Sequence, residues 1–194
     1  MMRLKTKRGF TLIETMVAIS LLAISLTGPY VAVQNAVQSS YVARDQLVAS
    51  QLAQEGIEYI RSIRDNNYLA SPQRTWLDGF TGAGASARDA CYNPTGVTSY
   101  YCTVDPTQGD FHSPPNLGML EHSSTTTAPF LYISSNGLYN QQNNGTPSKF
   151  KRLVRIYSID NGPTTEIQVT VQVLWTTGPR SYSIMVVDNL RDWI

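Results

Sequence analysis

The segment from residue 10 to residue 33 constrains the fold more than any other part of the chain, because it is apolar along nearly its whole length and Glu14 is its one charged side chain. As an α-helix it spans about 36 Å, which is enough to cross a hydrocarbon core of about 30 Å. Four basic residues precede it, namely Arg3, Lys5, Lys7 and Arg8. The positive-inside rule therefore predicts a cytoplasmic N-terminus, with everything after residue 34 beyond the inner membrane.

Glu14 separates this segment from an ordinary secretory signal and from an uncleaved signal anchor. The segment is longer than a typical signal core, and no Ala-x-Ala cleavage site follows it. A carboxylate in a membrane helix costs about 2.5–3.5 kcal/mol and is functional by default. No Lys, Arg or His lies between Phe10 and Arg44, so the partner of Glu14 has to come from elsewhere. Cleavage between Gly9 and Phe10 would supply one, because it creates a free α-amino group in the same apolar surroundings.

The residues around that peptide bond, Lys7-Arg8-Gly9-Phe10-Thr11-Leu12-Ile13-Glu14, resemble the prepilin signature of type IV pilin-like proteins. The signature is a short basic leader, a glycine, an aromatic residue and a glutamate at the fifth mature position. In that family a membrane-embedded prepilin peptidase cuts after the glycine and methylates the new amine. The resemblance implies a leader over residues 1–9, processing at Gly9 and Phe10, and assembly through a contact between Glu14 and an α-amine.

The resemblance also implies the partners of the chain. They are other pilin subunits, the prepilin peptidase and an assembly platform in the inner membrane, with the membrane itself holding residues 10–33 before assembly. It implies no cofactor and no metal. The expected location is the bacterial inner membrane first, and then an extracytoplasmic filament or the cell surface.

Gly28 and Pro29 interrupt the apolar segment. Proline removes one backbone hydrogen bond and disfavours helical geometry at the residue before it. A kink or a locally melted stretch is therefore expected near residues 25–29. Pilin-like proteins often have helix-breaking residues here, which implies a role in fitting the helix into a filament. A kink of the kind that any membrane helix tolerates is the alternative.

Residues 34–67 are predicted to continue the helix, since no proline occurs between Val31 and Arg64. Apolar residues recur there at helical spacing, at Val37, Tyr41, Val48, Leu52, Tyr59 and Ile63. Most remaining positions are polar, so one face is expected to pack on a sheet. Asp65-Asn66-Asn67 is predicted to end the helix.

Residues 68–129 differ in character, because Gly and Pro fill 12 of the 62 positions and no periodicity is sustained. A connection of this length is unusual unless it is functional or partly disordered. It contains both cysteines of the chain, Cys91 and Cys102. In an exported chain a disulfide that closes a short loop is the simplest interpretation, and two free thiols are the alternative.

Residues 130–194 have the pattern of an antiparallel sheet. A small hairpin is predicted around Ser134-Ser135-Asn136-Gly137. Apolar residues then alternate with polar ones from Ile167 to Trp175, and Gly178-Pro179 provides a turn. The sequence therefore predicts an α+β, pilin-like fold, in which a long N-terminal helix packs its second half on a C-terminal antiparallel sheet. The strand at Trp175 and the terminal Leu190-Arg191-Asp192-Trp193 also resemble the C-terminal part of some minor pilins.

Catalysis is not expected from this composition. The chain has two histidines and none of the common hydrolase, nucleotide-binding or zinc-peptidase motifs. Asp105, Asp110 and His112 lie near one another in sequence, but without the spacing of a calcium loop. They are interpreted as solvated loop residues.

Lys149, Lys151, Arg152 and Arg155 place four cations within seven residues. A solvated sheet face is the expected role of such a cluster, and capture of nucleic acid is the alternative. Together these features predict a non-enzymatic, minor pilin-like subunit. A pseudopilin of a type II secretion system remains an alternative, and so does a pilin-anchored adhesion or DNA-binding module.

Overall fold

The computed structural model describes residues 9–70, 75–77, 80, 92–93, 101–108, 119–123, 129–141, 145–159 and 165–192. The described residues form one long helix, a short 3₁₀ helix at Pro106–Gln108 and eight strands. The helix and strands are α1 (Leu12–Leu69), β1 (Tyr92–Asn93), β2 (Tyr101–Val104), β3 (Met119–Ser123), β4 (Phe130–Ile133), β5 (Tyr139–Asn140), β6 (Thr146–Ser158), β7 (Glu166–Thr177) and β8 (Arg180–Arg191). The predicted α+β arrangement is confirmed.

The chain divides into two units, Met1–Arg44 and Asp45–Ile194. In the first unit α1 is continuous through Gly28 and Pro29, so the locally melted stretch expected near residues 25–29 is not present. Proline removes one hydrogen bond from the ladder and leaves the bonds of the adjacent turns in place. The hydroxyls of Ser25 and Thr27 also donate to carbonyls of the preceding turn, those of Leu22 and Ala23. A kink at this point stays a prediction.

In the second unit α1 buries one side against the sheet. Leu52, Tyr59 and Ile63 are buried as predicted, whereas Val37 and Tyr41 of the same stripe belong to the first unit and are exposed. The buried side also contains small and β-branched residues that the stripe did not include, namely Ala49, Ala53, Gly56, Ile57 and Ile60. The helix ends at Leu69, two residues beyond the predicted stop.

Strands β6, β7 and β8 form the long antiparallel centre of the sheet. Along β7 the buried positions alternate as the sequence predicts, and all five apolar residues from Ile167 to Trp175 on that face are at most 4% exposed. A two-residue turn at Gly178-Pro179 joins β7 to β8, with Thr177 opposite Arg180. Gly178 has φ +61°, a conformation that suits glycine at this turn position. The predicted hairpin at Ser134–Gly137 is also present, between β4 and β5.

The smaller strands lie on the other side of β6. β4 and β2 pair antiparallel with β6, and β1 pairs parallel with it. Cys102 is fully buried in β2, whereas Cys91 lies outside the described residues. The disulfide between them therefore stays a prediction. Asp110 and His112 likewise lie outside the described residues.

Gly56 is the point where α1 approaches the sheet most closely among its described glycines. A Cβ at this position would lie 3.0 Å from Cγ1 and 3.3 Å from Cγ2 of Val171 on β7. Contacts this short require the β-branched valine to move. The glycine therefore sets the separation between helix and sheet.

Arg152 lies in the same region and overturns part of the sequence interpretation. Its side chain is 0% exposed, so it does not belong to a solvated basic face. Nη1 donates to the carbonyl of Leu52 at 3.0 Å and to Oε2 of Glu55 at 2.6 Å, and Nη2 donates to the carbonyl of Val104 at 2.7 Å. One guanidinium thus joins β6 to α1 and to β2. Burial is tolerated because the charge is both paired and hydrogen-bonded.

Asp105 anchors the end of β2 in a similar way. The residue is fully buried, and its carboxylate accepts hydrogen bonds from the backbone N–H and hydroxyl of Thr107 and from the backbone N–H of Gln141. Tyr59 lies close by on α1. Burial, and secondarily the charge of Asp105, raise the pKa of Tyr59 to about 12. Asp105 is thus a structural residue among the described contacts, not the solvated loop residue that the sequence predicts.

Replacement of Gly56 by alanine tests the close approach of helix and sheet. Gly56→Ala is expected to lower the free energy of unfolding by about 1–3 kcal/mol through overpacking, although alanine favours a helix by about 1 kcal/mol over glycine. Urea unfolding of the full chain in detergent micelles, followed by tryptophan fluorescence, measures the change. Gly28→Ala is the matched control, because nothing lies within 4 Å of its Cβ position. Adding Val171→Ala should reduce the cost of Gly56→Ala, and strictly additive losses would contradict the contact.

Replacement of Arg152 tests the buried hydrogen-bond fork. Arg152→Met leaves the buried carbonyl of Val104 without this donor and should lower the free energy of unfolding by about 3 kcal/mol. Glu55→Gln is expected to cost less than Arg152→Met, since glutamine keeps an acceptor for Nη1 and the Glu55 side chain is 43% exposed. The same urea titration compares the two. Equal losses in both variants would show that the ion pair, and not the carbonyl contacts, stabilises this region.

Candidate processing and assembly site

The peptide bond between Gly9 and Phe10 lies just before the start of α1. Both residues are exposed and neither has helical structure, and the Phe10 side chain is 81% exposed. Backbone outside a helix has no internal hydrogen-bond ladder to break before a peptidase can engage it. The predicted cleavage point is therefore accessible in this structure.

Thr11 fixes where the helix begins. Its Oγ1 accepts a hydrogen bond from the backbone N–H of Glu14 at 3.3 Å, and its carbonyl accepts the first helical bond from Thr15 at 3.2 Å. This is the N-cap position, which threonine favours because the hydroxyl satisfies one of the free N–H groups of the first turn. The Thr-x-x-Glu spacing is that of a capping box. The sequence therefore contains a second signal at this point, which places the start of the helix at Thr11.

Four hydroxyls within the apolar segment bond to the helix itself. Each donates to a carbonyl three or four residues earlier, as Thr15, Ser20, Ser25 and Thr27 do. Such back-bonding suits an environment that offers no water. It leaves a segment that is long and apolar enough to cross a membrane.

Glu14 differs from these hydroxyls. Within residues 9–70, which the structure describes without a gap, its carboxylate has no hydrogen-bond or ion-pair partner. The large apolar side chains around it are exposed, including Leu12 at 78% and Ile13 at 71%. The residues that the structure describes therefore provide neither a cover for the apolar surface nor a counter-charge for Glu14.

Gly9 is not required by the fold. Nothing lies within 4 Å of the position that a Cβ would occupy, and its φ is not in the left-handed region. A side chain at residue 9 would therefore leave the described structure unchanged. Any requirement for glycine there has to come from a molecule that binds this segment.

The basic cluster of β6 does not form one surface. Lys149 pairs with Asp45, and Arg152 is buried. Lys151 lies with Nζ 4.3 Å from the centre of the Phe130 ring, in a cation–π contact. Of the four cations, Arg155 and Lys149 are exposed and Lys151 is half-buried. The structure thus separates residues that the sequence had placed together.

Comparison with known families agrees with the N-terminal geometry. The family model described as the prokaryotic N-terminal methylation motif matches residues 4–28. The match includes Gly9, Phe10 and Glu14 and leaves the second unit uncovered. No curated protein and no solved structure matches the chain.

Three independent features coincide in this part of the chain. An exposed, non-helical bond precedes the helix, an apolar span follows it, and one carboxylate stands in the first helical turn. The family match covers the same residues. The N-terminal segment therefore matches the prokaryotic N-terminal methylation motif, the hallmark of type IV pilin and prepilin-like proteins.

Proposed function

We propose that this protein is a structural, non-enzymatic subunit of a type IV pilus-like filament. Prepilin peptidase would cut it between Gly9 and Phe10, and α1 would then hold it in the filament. The observation that carries the proposal is the carboxylate of Glu14, which has no partner within the described residues 9–70 and lies in the first turn of a helix whose apolar surface is exposed. A neighbouring subunit with a free α-amine supplies both a counter-charge and an apolar cover.

The membrane and the filament would act as successive surroundings for the same helix surface. Before assembly, residues 10–33 lie in the bacterial inner membrane with the N-terminus in the cytoplasm, as the basic leader favours. During assembly, α1 helices of neighbouring subunits replace lipid. Since both surroundings are apolar, the transfer costs little, and the pairing of Glu14 with an amine selects one axial offset between subunits. An inner-membrane assembly platform would carry out the transfer.

Within this class we propose a minor subunit. The long segment 68–129, which is rich in Gly and Pro, and the C-terminal resemblance to minor pilins support that assignment. We further propose that Cys91 and Cys102 form a disulfide within this segment, since the buried position of Cys102 in β2 would anchor one end of the loop. A secretion pseudopilin would share the N-terminal features. The two alternatives differ in the filament from which the subunit is recovered, a surface pilus or a secretion pseudopilus.

The processing step is tested by the mass of the mature chain. In membranes that contain a prepilin peptidase, the wild-type chain is expected to begin at Phe10 with a methylated amine. Gly9→Val should keep its leader, since the peptidase step would be blocked while the fold has open space at this position. Intact-mass spectrometry of the purified wild-type and Gly9→Val chains shows whether each keeps its leader and whether the new amine is methylated. A wild-type chain that keeps its leader, while a control prepilin is cut, would contradict the proposed processing.

The assembly step is tested by removing the charge of Glu14. Glu14→Gln should be processed normally but reduced at least about tenfold in sheared filaments, because loss of a charge-assisted contact worth about 1.5 kcal/mol or more corresponds to that factor. Immunoblots of the sheared and membrane fractions give the ratio. Glu58→Gln is the matched control, since Glu58 is an exposed glutamate of the same helix in the second unit.

The location of the wild-type subunit separates the alternatives. Recovery in surface pili supports the proposed function, whereas recovery only in a secretion-dependent pseudopilus supports the type II secretion alternative. Normal filament incorporation of Glu14→Gln would contradict the proposed role of the carboxylate. Deletion of 81–90 that abolishes attachment but leaves filaments intact would instead indicate a binding module on a pilin anchor.

A further inference from the structure

Asp45 is a carboxylate on the buried side of α1. The residue is 6% exposed. It is also the first residue of the second unit and the first buried residue of the helix. Residues 9–41 before it are exposed throughout.

The contacts of Asp45 join the helix to two strands. Its Oδ2 accepts a hydrogen bond from the hydroxyl of Thr177 at 2.7 Å, and it lies 2.5 Å from Nζ of Lys149. Thr177 is the last residue of β7, directly before the Gly178-Pro179 turn, and Lys149 belongs to β6. One carboxylate therefore fastens α1 at the hairpin end of the sheet.

The apolar packing next to Asp45 is slight. Along the helix after Asp45, Val48 is half-buried and the small Ala49 is buried. Leu52 is the first large side chain that is buried. Burial of a methyl-sized side chain contributes less than half of what burial of a leucine does. A buried carboxylate is stable only when it is hydrogen-bonded and paired, so this end of the helix packs on the sheet through polar contacts.

We propose that Asp45, Lys149 and Thr177 form a clasp that holds the first packed turns of α1 on the sheet. The clasp sets the residue at which the unpacked part of the helix begins. Drawing the helix from the membrane into a filament applies a force along the helix. That force acts on the second unit first at Asp45, and the clasp distributes it over β6 and β7. Its purpose rests on the proposed function, whereas the contact itself belongs to the second unit and is tested without a filament.

Hydrogen exchange of the full-length chain in detergent micelles, read by mass spectrometry, tests the clasp. Peptides covering residues 45–50 of Asp45→Ala are expected to exchange about tenfold faster or more, which corresponds to losing about 1.4 kcal/mol of local stability. Their rate should approach that of residues 36–44, which serve as the unpacked reference. Peptides covering residues 57–63 and β7 should keep their wild-type rates.

Partial variants assign the contribution of each partner. Thr177→Val and Lys149→Met should each raise exchange in residues 45–50 by less than Asp45→Ala, and Asp45→Asn should resemble Lys149→Met because it retains an acceptor for Thr177. Asp65→Asn is the matched control, since the Asp65 side chain is 47% exposed and pairs with the adjacent Arg64. Unchanged exchange at residues 45–50 overturns the proposal, and so does an equal rise at residues 57–63. Neither result depends on whether Glu14→Gln assembles.

Discussion

The apolar surface of α1 between Phe10 and Val33 has no cover among the described residues, and the rest of the structure depends on that constraint. Its large apolar side chains are 48–81% exposed. Burying each of them contributes about 1.5–3 kcal/mol, so together they exceed the about 5–15 kcal/mol that stabilises a typical domain. The same helix therefore needs lipid or other helices around it. Against this gain, the cost of one carboxylate at Glu14, about 2.5–3.5 kcal/mol, is small.

The second half of the helix differs, because the sheet of the same chain covers one side of it. Gly56 and the small residues near it let the backbone approach β7, and Arg152 enters the space between helix and sheet with its charge satisfied by Glu55 and two carbonyls. A buried arginine contributes little net stability. It does favour one alignment of helix and sheet over others, because a shifted register would leave its Nη donors unpaired. The head thus combines apolar burial with a few polar contacts that fix how helix and sheet meet.

At the N-terminus the geometry and the chemistry agree. Thr11 caps the helix, so that the bond before Phe10 stays outside it and Glu14 stands in the first turn. Cleavage would place a new positive charge four residues before that carboxylate. Phe10 itself lies outside the helix, and an offset between subunits would let the pairing occur across a bundle.

Short-range pattern in the sequence determined the membrane-length helix, the processing motif at Gly9 and Glu14, the alternating strand that ends at Trp175 and the turn at Gly178-Pro179. Each depends on neighbours within a few residues, where periodicity and backbone preference act. The tertiary structure alone decided which cations stay exposed, because the burial of Arg152 and the pairing of Lys149 with Asp45 depend on strands brought against the helix from about a hundred residues away. Charge in a sequence indicates solvation by default, and only the assembled neighbours supply the acceptors that allow a charge to be buried.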